Sequence, residues 1–485
     1  MTKQTNSDHQ FTNADTDKAL TTAGLEFYPP DMSEAGAAEV FSEWATDALL
    51  WCDSLGWLIW SGTHWIEDTN KALALAIEYT ARMLAEAQEY FRNTLKINDS
   101  GKLEPDETAK AYLQFAAGFR TRSKIVNVLE LSKARLAVAA DALDSEWWAL
   151  NTQAGIVDLR TSQISPHDPR RLHTKITACG PGDTGAEMWQ NSLRKVTRED
   201  ASLEAYLQVK LGAACFGKVF IEGMDVALGG GRNGKSTTFN AIGKVLDTYC
   251  GTIDPTILTT ERSNRGAVLA ELRGKRLVIC GELEEGWRLS ISTLKRICST
   301  DVIQIEKKYH DPEMIVPSHS IIMFSNYLPR IGSNDAGTWR RINILPFNAQ
   351  MPQGRGEIKN YAEELAEKAG PAILAWLLEG ARLAWQEGFR FTVPACVEQA
   401  TETYRAQEDW LSNFINECCI VNNPADRTRR TQGSILYGRY KEYAQSMGEY
   451  TRRNRDFAQA LEEHGFTKEK DSHDKCVYWY GISVI

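Results

Sequence analysis

Gly229, Gly234, Lys235 and Ser236 stand in the spacing GxxxxGK[ST], inside the stretch LGGGRNGKSTTF at residues 228–239. Residues of these types in this order can hold a phosphate. Glycines let successive backbone N–H groups converge on phosphate oxygens, a lysine reaches the terminal phosphates, and a hydroxyl can ligate Mg2+. The candidate phosphate-binding set is Gly229, Gly230, Gly231, Arg232, Asn233, Gly234, Lys235, Ser236 and Thr237. The segment MDVALG before the loop suits a short strand, and Phe239, Ile242, Val245 and Leu246 after it fall at helical spacing.

Cleaving a phosphoanhydride also needs a carboxylate at the tip of a neighbouring buried strand, to hold Mg2+ or to polarise the attacking water. GKRLVICGELEEG, residues 274–286, offers an apolar strand ending at Glu282, with Glu284 and Glu285 close behind. A second apolar run, SIIMFSN, ends in Asn326, whose amide can orient the lytic water, although an Asn before YLP also suits a turn. GTWRRINILPF then sets Arg340 and Arg341 between two apolar stretches. Paired arginines there form either a solvated face or an arginine finger directed at a neighbour's nucleotide.

These side chains need a scaffold that brings distant segments together. From about residue 188 the pattern runs helix, strand, loop, helix, strand, which predicts a parallel α/β sheet to about residue 350. Upstream, residues 1–45 read as a polar arm, and residues 46–180 as a mixed α+β domain. In that domain LGWLIWSGTHWIED predicts a hairpin carrying Trp57, Trp60 and Trp65, more suited to a core than to base stacking. CGPGDTGAE, residues 179–187, reads as a linker, and the sheet domain spans residues 181–350. Residues 351–400 give two helices interrupted at Gly370-Pro371, and residues 401–485 a C-terminal domain.

Composition narrows the class. A chain of 485 residues has room for several cores, and 43 % hydrophobic with 25 % charged residues is the balance of a globular protein. No apolar run is long enough to span a bilayer, and the polar N-terminus lacks a secretory signal, so a cytoplasmic location is expected, with no membrane partner. The ten cysteines form no metal-ligand spacing with the eight histidines, so neither zinc nor disulfides are expected. A net charge of −9 argues against a chain that coats nucleic acid with its whole surface. It leaves room for local basic patches, and residues 427–455 carry eight Arg or Lys against Glu442 and Glu449.

Taken in order, GGGRNGKST, LRGKRLVICGELEEG, LKRICSTDVIQIEKKYHDPEMIVPSH, IIMFSNYLP and GTWRRINILPF resemble the superfamily 3 helicases of the phage and plasmid primase-helicase type, with their poxvirus relatives. The likeness extends upstream through WLIWSGTHWIED and LNTQAGIVDLRT and downstream into the C-terminal region. It implies an AAA+-like P-loop ATPase that uses ATP and Mg2+, assembles as a homo-oligomeric ring (a hexamer) and moves along single-stranded or forked DNA. It implies that Lys235 and Ser236 form the Walker A site, that Glu282 is the Walker B acid and shares Mg2+ with Ser236, and that Asn326 is the sensor. Family spacing favours Glu285 as the second carboxylate, whereas strand alternation favours Glu284. One of Arg340 and Arg341 would be a finger acting in trans.

Between Glu282 and Asn326 the family places a DNA-gripping hairpin. Here Ile303 and Ile305 would form one arm, Met314 and Val316 the other, and Lys307, Lys308, Tyr309 and His310 the DNA-touching tip. Residues 401–485 suit a winged helix, with Phe457 and Leu461 in its core and Arg452, Arg453 and Arg455 starting its second helix to meet DNA. Because the longer relatives carry a primase domain upstream and this sequence offers no segment for it ahead of the Trp-rich hairpin, the expectation is that priming falls to a separate primase or polymerase. The expectation is an ATP-dependent DNA helicase of a phage or mobile element, working in a bacterial host. The rival readings are an ATP-regulated replication initiator or scaffold that separates no strands, and a small-molecule kinase.

Overall fold

The computed structural model describes residues 24–97, 102–259, 269, 271–282, 286–305, 313–331, 336–351, 358–423, 430–447 and 450–485. At its centre five strands form one sheet: β1 (Met224–Leu228), β2 (Cys250–Ile253), β3 (Leu277–Cys280), β4 (Ser320–Ser325) and β5 (Ile342–Pro346). Their order is β2-β3-β4-β1-β5, and every neighbouring pair is parallel. A parallel sheet is covered on both faces, which is why these strands read as almost unbroken apolar runs.

Alternate residues supply two separate cores. Ala227, Leu277, Ile279, Ile322 and Leu345 face a layer built by α1 (Ala186–Thr197), α2 (Ala201–Ala213), α3 (Lys235–Leu246) and α4 (Tyr361–Gln386). Val226, Val278, Cys280, Ile321, Met323, Ile342 and Ile344 face the other way, against Leu294, Ile297, Trp339 and Tyr404, the last from α5 (Ala395–Glu408). Register matters to the site. Because β4 lies between β1 and β3, the C-terminal tips of three strands emerge side by side.

α4 departs from the sequence expectation. It is a single helix through Gly370-Pro371, with Pro371 inside it. An interior proline removes one helical hydrogen bond and costs about 3 kcal/mol. The buried stripe Leu365, Ala369, Ile373, Leu374 and Leu377 offsets that, each large side chain contributing roughly 1.5–3 kcal/mol. The Pro371 carbonyl also accepts from Gly182 N at 3.0 Å, so the glycine-rich 179–187 stretch is tied to this helix.

In the N-terminal region Leu49–Cys52, Gly56–Trp60 and Trp65–Glu67 form an antiparallel sheet in which Trp60 faces Trp65. Trp57 and Trp65 are buried, so these rings serve packing. The helix Thr69–Asn93 follows, its first turn capped by the Asp68 carboxylate accepting from Lys71 N. A second small sheet, Ala149–Thr152, Gly155–Asp158 and Ile164–Ser165, joins the helix-side core through Leu150, with Leu159 following it. There the buried Arg276 guanidinium, one residue ahead of β3, donates to the carbonyls of Trp147, Ala149 and Cys215 at 2.7–2.9 Å.

The C-terminal region holds helices Trp410–Cys418, Gly433–Ser446 and Asn454–Glu463 around Phe414, Tyr440, Phe457 and Trp479. Beside them lies the antiparallel sheet Arg430–Gln432, Val477–Tyr480, Thr467–Lys470. All ten cysteines are free thiols. Among the described residues no helix is long and apolar enough to cross a membrane.

Candidate functional site

The glycine-rich segment joins β1 to α3, the strand–loop–helix setting that the sequence demanded. Gly234 caps α3 at φ 81°, a conformation an L side chain resists, and it supplies no side-chain cap. The first-turn N–H groups of α3 therefore point toward the loop without a capping side chain. Lys235 opens the helix and is only 3 % exposed. Its ammonium donates to Gly229 O at 2.8 Å, Asn326 Oδ1 at 2.9 Å and Asn233 Oδ1 at 3.1 Å, which uses all three N–H bonds. Burial lowers its pKa from the ordinary lysine value, and the Glu282 carboxylate pulls the other way.

Asn326 follows β4 and Glu282 lies just beyond β3. Asn326 Nδ2 donates to Glu282 Oε2 at 3.2 Å, so a continuous chain runs Lys235–Asn326–Glu282 across the tips of three adjacent strands. The amide orientation follows from its partners, because lysine can only donate and an ionised carboxylate can only accept. Ser236 and Glu282 are exposed, while Lys235 is buried between them and the sheet. A hydroxyl and a carboxylate are oxygen donors of the hardness Mg2+ prefers, so the residues present fit that ion. Gly230 and Gly231 face open space, leaving their backbone accessible, and Thr237 is half-buried behind them. Arg232 is exposed and its carbonyl accepts from Met351 N at 2.8 Å. Glu284 and Glu285 lie outside the described residues.

The paired arginines part company. Arg341 is half-buried, its side chain 11 % exposed and bonded to Glu222, and it donates to Gly337 O at 2.8 Å, so its charge is spent within its own chain. Arg340 has a side chain 67 % exposed, with only a 3.7 Å approach to Glu222. The sequence left the two arginines equivalent because the distinguishing partner, Glu222, lies 119 positions from Arg341. Both precede β5, whose first residue Ile342 pairs with Met224 at the far end of β1 from the loop. At about 3.3 Å per residue, five strand residues separate Arg340 from its own phosphate loop by roughly 16 Å.

Ile303–Ile305 and Glu313–Ile315 pair antiparallel, Ile303 against Ile315, which gives the stem of the expected hairpin. Ile303 and Ile315 are buried, whereas Met314 and Val316 are 65 % and 59 % exposed. The antiparallel register puts Ile315, not its neighbours, opposite Ile303. Lys307, Lys308, Tyr309 and His310 lie outside the described residues. In the C-terminal region Arg452 does not start the helix Asn454–Glu463: its guanidinium sits 4.0 Å over the Trp410 ring, and its backbone binds Tyr437 and Tyr440. Arg453 caps that helix and Arg455 lies in its first turn, both exposed.

Sheet order and site together define an α/β protein with a glycine-rich strand-to-helix loop at the strand tips, and comparison with known proteins then narrows the class. Residues 38–198 match the family described as D5 N terminal like, and residues 227–341 match a family of unknown function, DUF5906. The candidate helicase L207/L206 of Acanthamoeba polyphaga mimivirus is 24% identical over 278 residues, 53% of this chain and 28% of that protein. The candidate primase C962R of African swine fever virus (strain Badajoz 1971 Vero-adapted) is 24% identical over 311 residues, 59% of this chain and 32% of that protein. The candidate helicase 184R of Invertebrate iridescent virus 6 is 24% identical over 227 residues, 40% and 23% of the two chains. This chain thus spans less than a third of each. The apo C-terminal region of NrS-1 covers 63% of this chain and 77% of its own at 15% identity and a TM-score of 0.40. The chain is thus similar, at low identity, to D5-like primase-helicases.

Proposed function

We propose that this chain is an ATP-dependent DNA helicase of the superfamily 3 type, with an AAA+-like core working as a homo-oligomeric ring. The observation that carries the reading is the hydrogen-bonded chain Lys235–Asn326–Glu282 across the tips of β1, β4 and β3. Lys235 is held there by neutral oxygens alone. An anionic phosphate oxygen adds to the ammonium a charge–charge attraction that the neutral carbonyl and amide oxygens lack, so a nucleotide outcompetes them. When Lys235 turns to the phosphate, the Asn326 amide is released to orient water, and the second carboxylate, Glu284 or Glu285, is the polarising base. Ser236 and Glu282 would hold Mg2+, which when bound would neutralise charge on the phosphates.

Arg340 is the finger in this reading, because it is exposed and lies too far from its own loop to act there. A neighbouring subunit's site is the one it can complete, and such an arginine accelerates phosphoryl transfer by roughly a thousandfold or more. A ring repeats any basic residue around its axis, so the hairpin tip Lys307, Lys308, Tyr309, His310 would grip DNA despite the net charge of −9. The winged-helix reading of the C-terminal region adds Arg453 and Arg455 as duplex contacts. ATP turnover by the purified chain, with strand displacement on a forked duplex, tests the proposal. Lys235→Ala should abolish both, and hydrolysis surviving that change would refute the site. Hydrolysis without strand displacement would favour the initiator reading instead.

A further inference from the structure

Within the glycine-rich loop the Asn233 side chain is 2 % exposed and lies across Gly229. A Cβ on Gly229 would sit 1.8 Å from Asn233 Nδ2 and 2.3 Å from Phe347 O. The backbone of Gly229 is not left-handed, so this glycine is required by the passage of the asparagine amide above it. That amide has two firm partners. Its Oδ1 accepts from Lys235 Nζ at 3.1 Å and its Nδ2 donates to Phe347 O at 2.9 Å. Phe347 is the residue immediately after β5, and its own N–H donates to Leu228 O at 2.7 Å. β5 therefore has the phosphate loop fastened to its C-terminal end by Asn233, and Arg340 and Arg341 at its N-terminal end. β5 is an edge strand with β1 on one side, and on the other side Ile344 N donates to Thr401 Oγ1 of α5 at 3.0 Å.

We propose that Asn233 is a positioning residue that couples the two ends of β5, so that loading of one subunit's phosphate loop sets the placement of Arg340 toward the next subunit's site. Lys235 leaves the Asn233 oxygen when it turns to a phosphate. The amide then loses its charged partner, and the strand end it holds through Phe347 is free to shift. β5 carries that shift as a short, hydrogen-bonded rod. This inference rests on the reading of Arg340 as a finger in trans, and its test separates the two.

The experiment mixes full-length subunits in pairs and measures ATP hydrolysis. Alone, Asn233→Ala should bind a non-hydrolysable ATP analogue within about tenfold of wild type, the cost of one neutral hydrogen bond. Its turnover should fall by roughly a hundredfold, as for a displaced finger. Mixed with Glu282→Gln subunits, which donate a well-placed arginine, Asn233→Ala should regain turnover. Mixed with Arg340→Ala subunits, it should not. A purely local role at the phosphate loop predicts the reverse pairing, and that result overturns the proposal. Asn233→Leu, which keeps the side-chain volume but can neither accept from Lys235 nor donate to Phe347, should show the same pairing. Rescue of neither pair by both variants also overturns it. Failure of Glu282→Gln and Arg340→Ala to complement each other would refute the trans arginine itself, and this proposal with it; complementation there with the reversed Asn233 pattern refutes this proposal alone.

Discussion

Arg340 and Arg341 are adjacent, chemically identical and differently employed. Arg341→Ala leaves the part-buried Glu222 without its partner, and breaking such a pair should cost about 1–3 kcal/mol, visible as a lowered melting temperature. Arg340→Ala should melt within about 0.5 kcal/mol of wild type, since its side chain is exposed, yet lose turnover by roughly a thousandfold. Equal effects of the two changes on stability and turnover would contradict this division of labour. The sequence made Lys235, Glu282 and Asn326 legible because each sits at the end of an apolar strand or in a motif of fixed spacing. Asn233 was read there only as loop backbone. Its role depends on the Phe347 carbonyl, 114 residues away, and no local pattern announces such a contact.

At the scale of elements, periodicity located β1, β3, β4 and α3 because apolar runs and helical spacing are local properties. It failed at α4, where local chemistry and tertiary packing disagree. Gly370-Pro371 is a legitimate stop signal, but a buried stripe on both sides of it outweighs the lost hydrogen bond. Pro371→Ala should restore a donor to the Glu367 carbonyl and raise stability by about 1–3 kcal/mol, measured by chemical denaturation. Destabilisation would mean that the proline ring itself is needed against Gly182. The hairpin stem shows another limit of pattern reading: Met314 and Val316 alternate as correctly as Ile315 with its neighbours, and only pairing with Ile303 selects the inward residue.

For the molecule as a whole, part of the acid sensitivity should come from a deeply buried histidine. Burial pushes the His319 imidazole down to about 4, with the backbone of Ile297 offsetting part of that shift. An unfolded histidine takes up its proton near pH 6.5, so between that pH and about 4 only the unfolded chain is protonated. Stability from this residue is complete above pH 6.5 and is lost as the pH falls through that window, by at most about 3 kcal/mol. His319→Leu should flatten the decline, and an unchanged slope in pH-dependent melting would place the proton elsewhere. The sequence could not mark His319 as buried, since a single histidine before an apolar run carries no sign of its depth.

The central claim concerns two copies of this chain, and mixing two inactive variants tests it most directly. Glu282→Gln keeps Arg340 but disables its own site, and Arg340→Ala keeps an intact site but offers no finger. Each alone should hydrolyse ATP at a small fraction of the wild-type rate. Random co-assembly gives about a quarter of the interfaces one intact site and one intact arginine, so the mixture should recover turnover in that proportion. A mixture no more active than its components, or an Arg340→Ala protein that turns over normally by itself, would contradict the account.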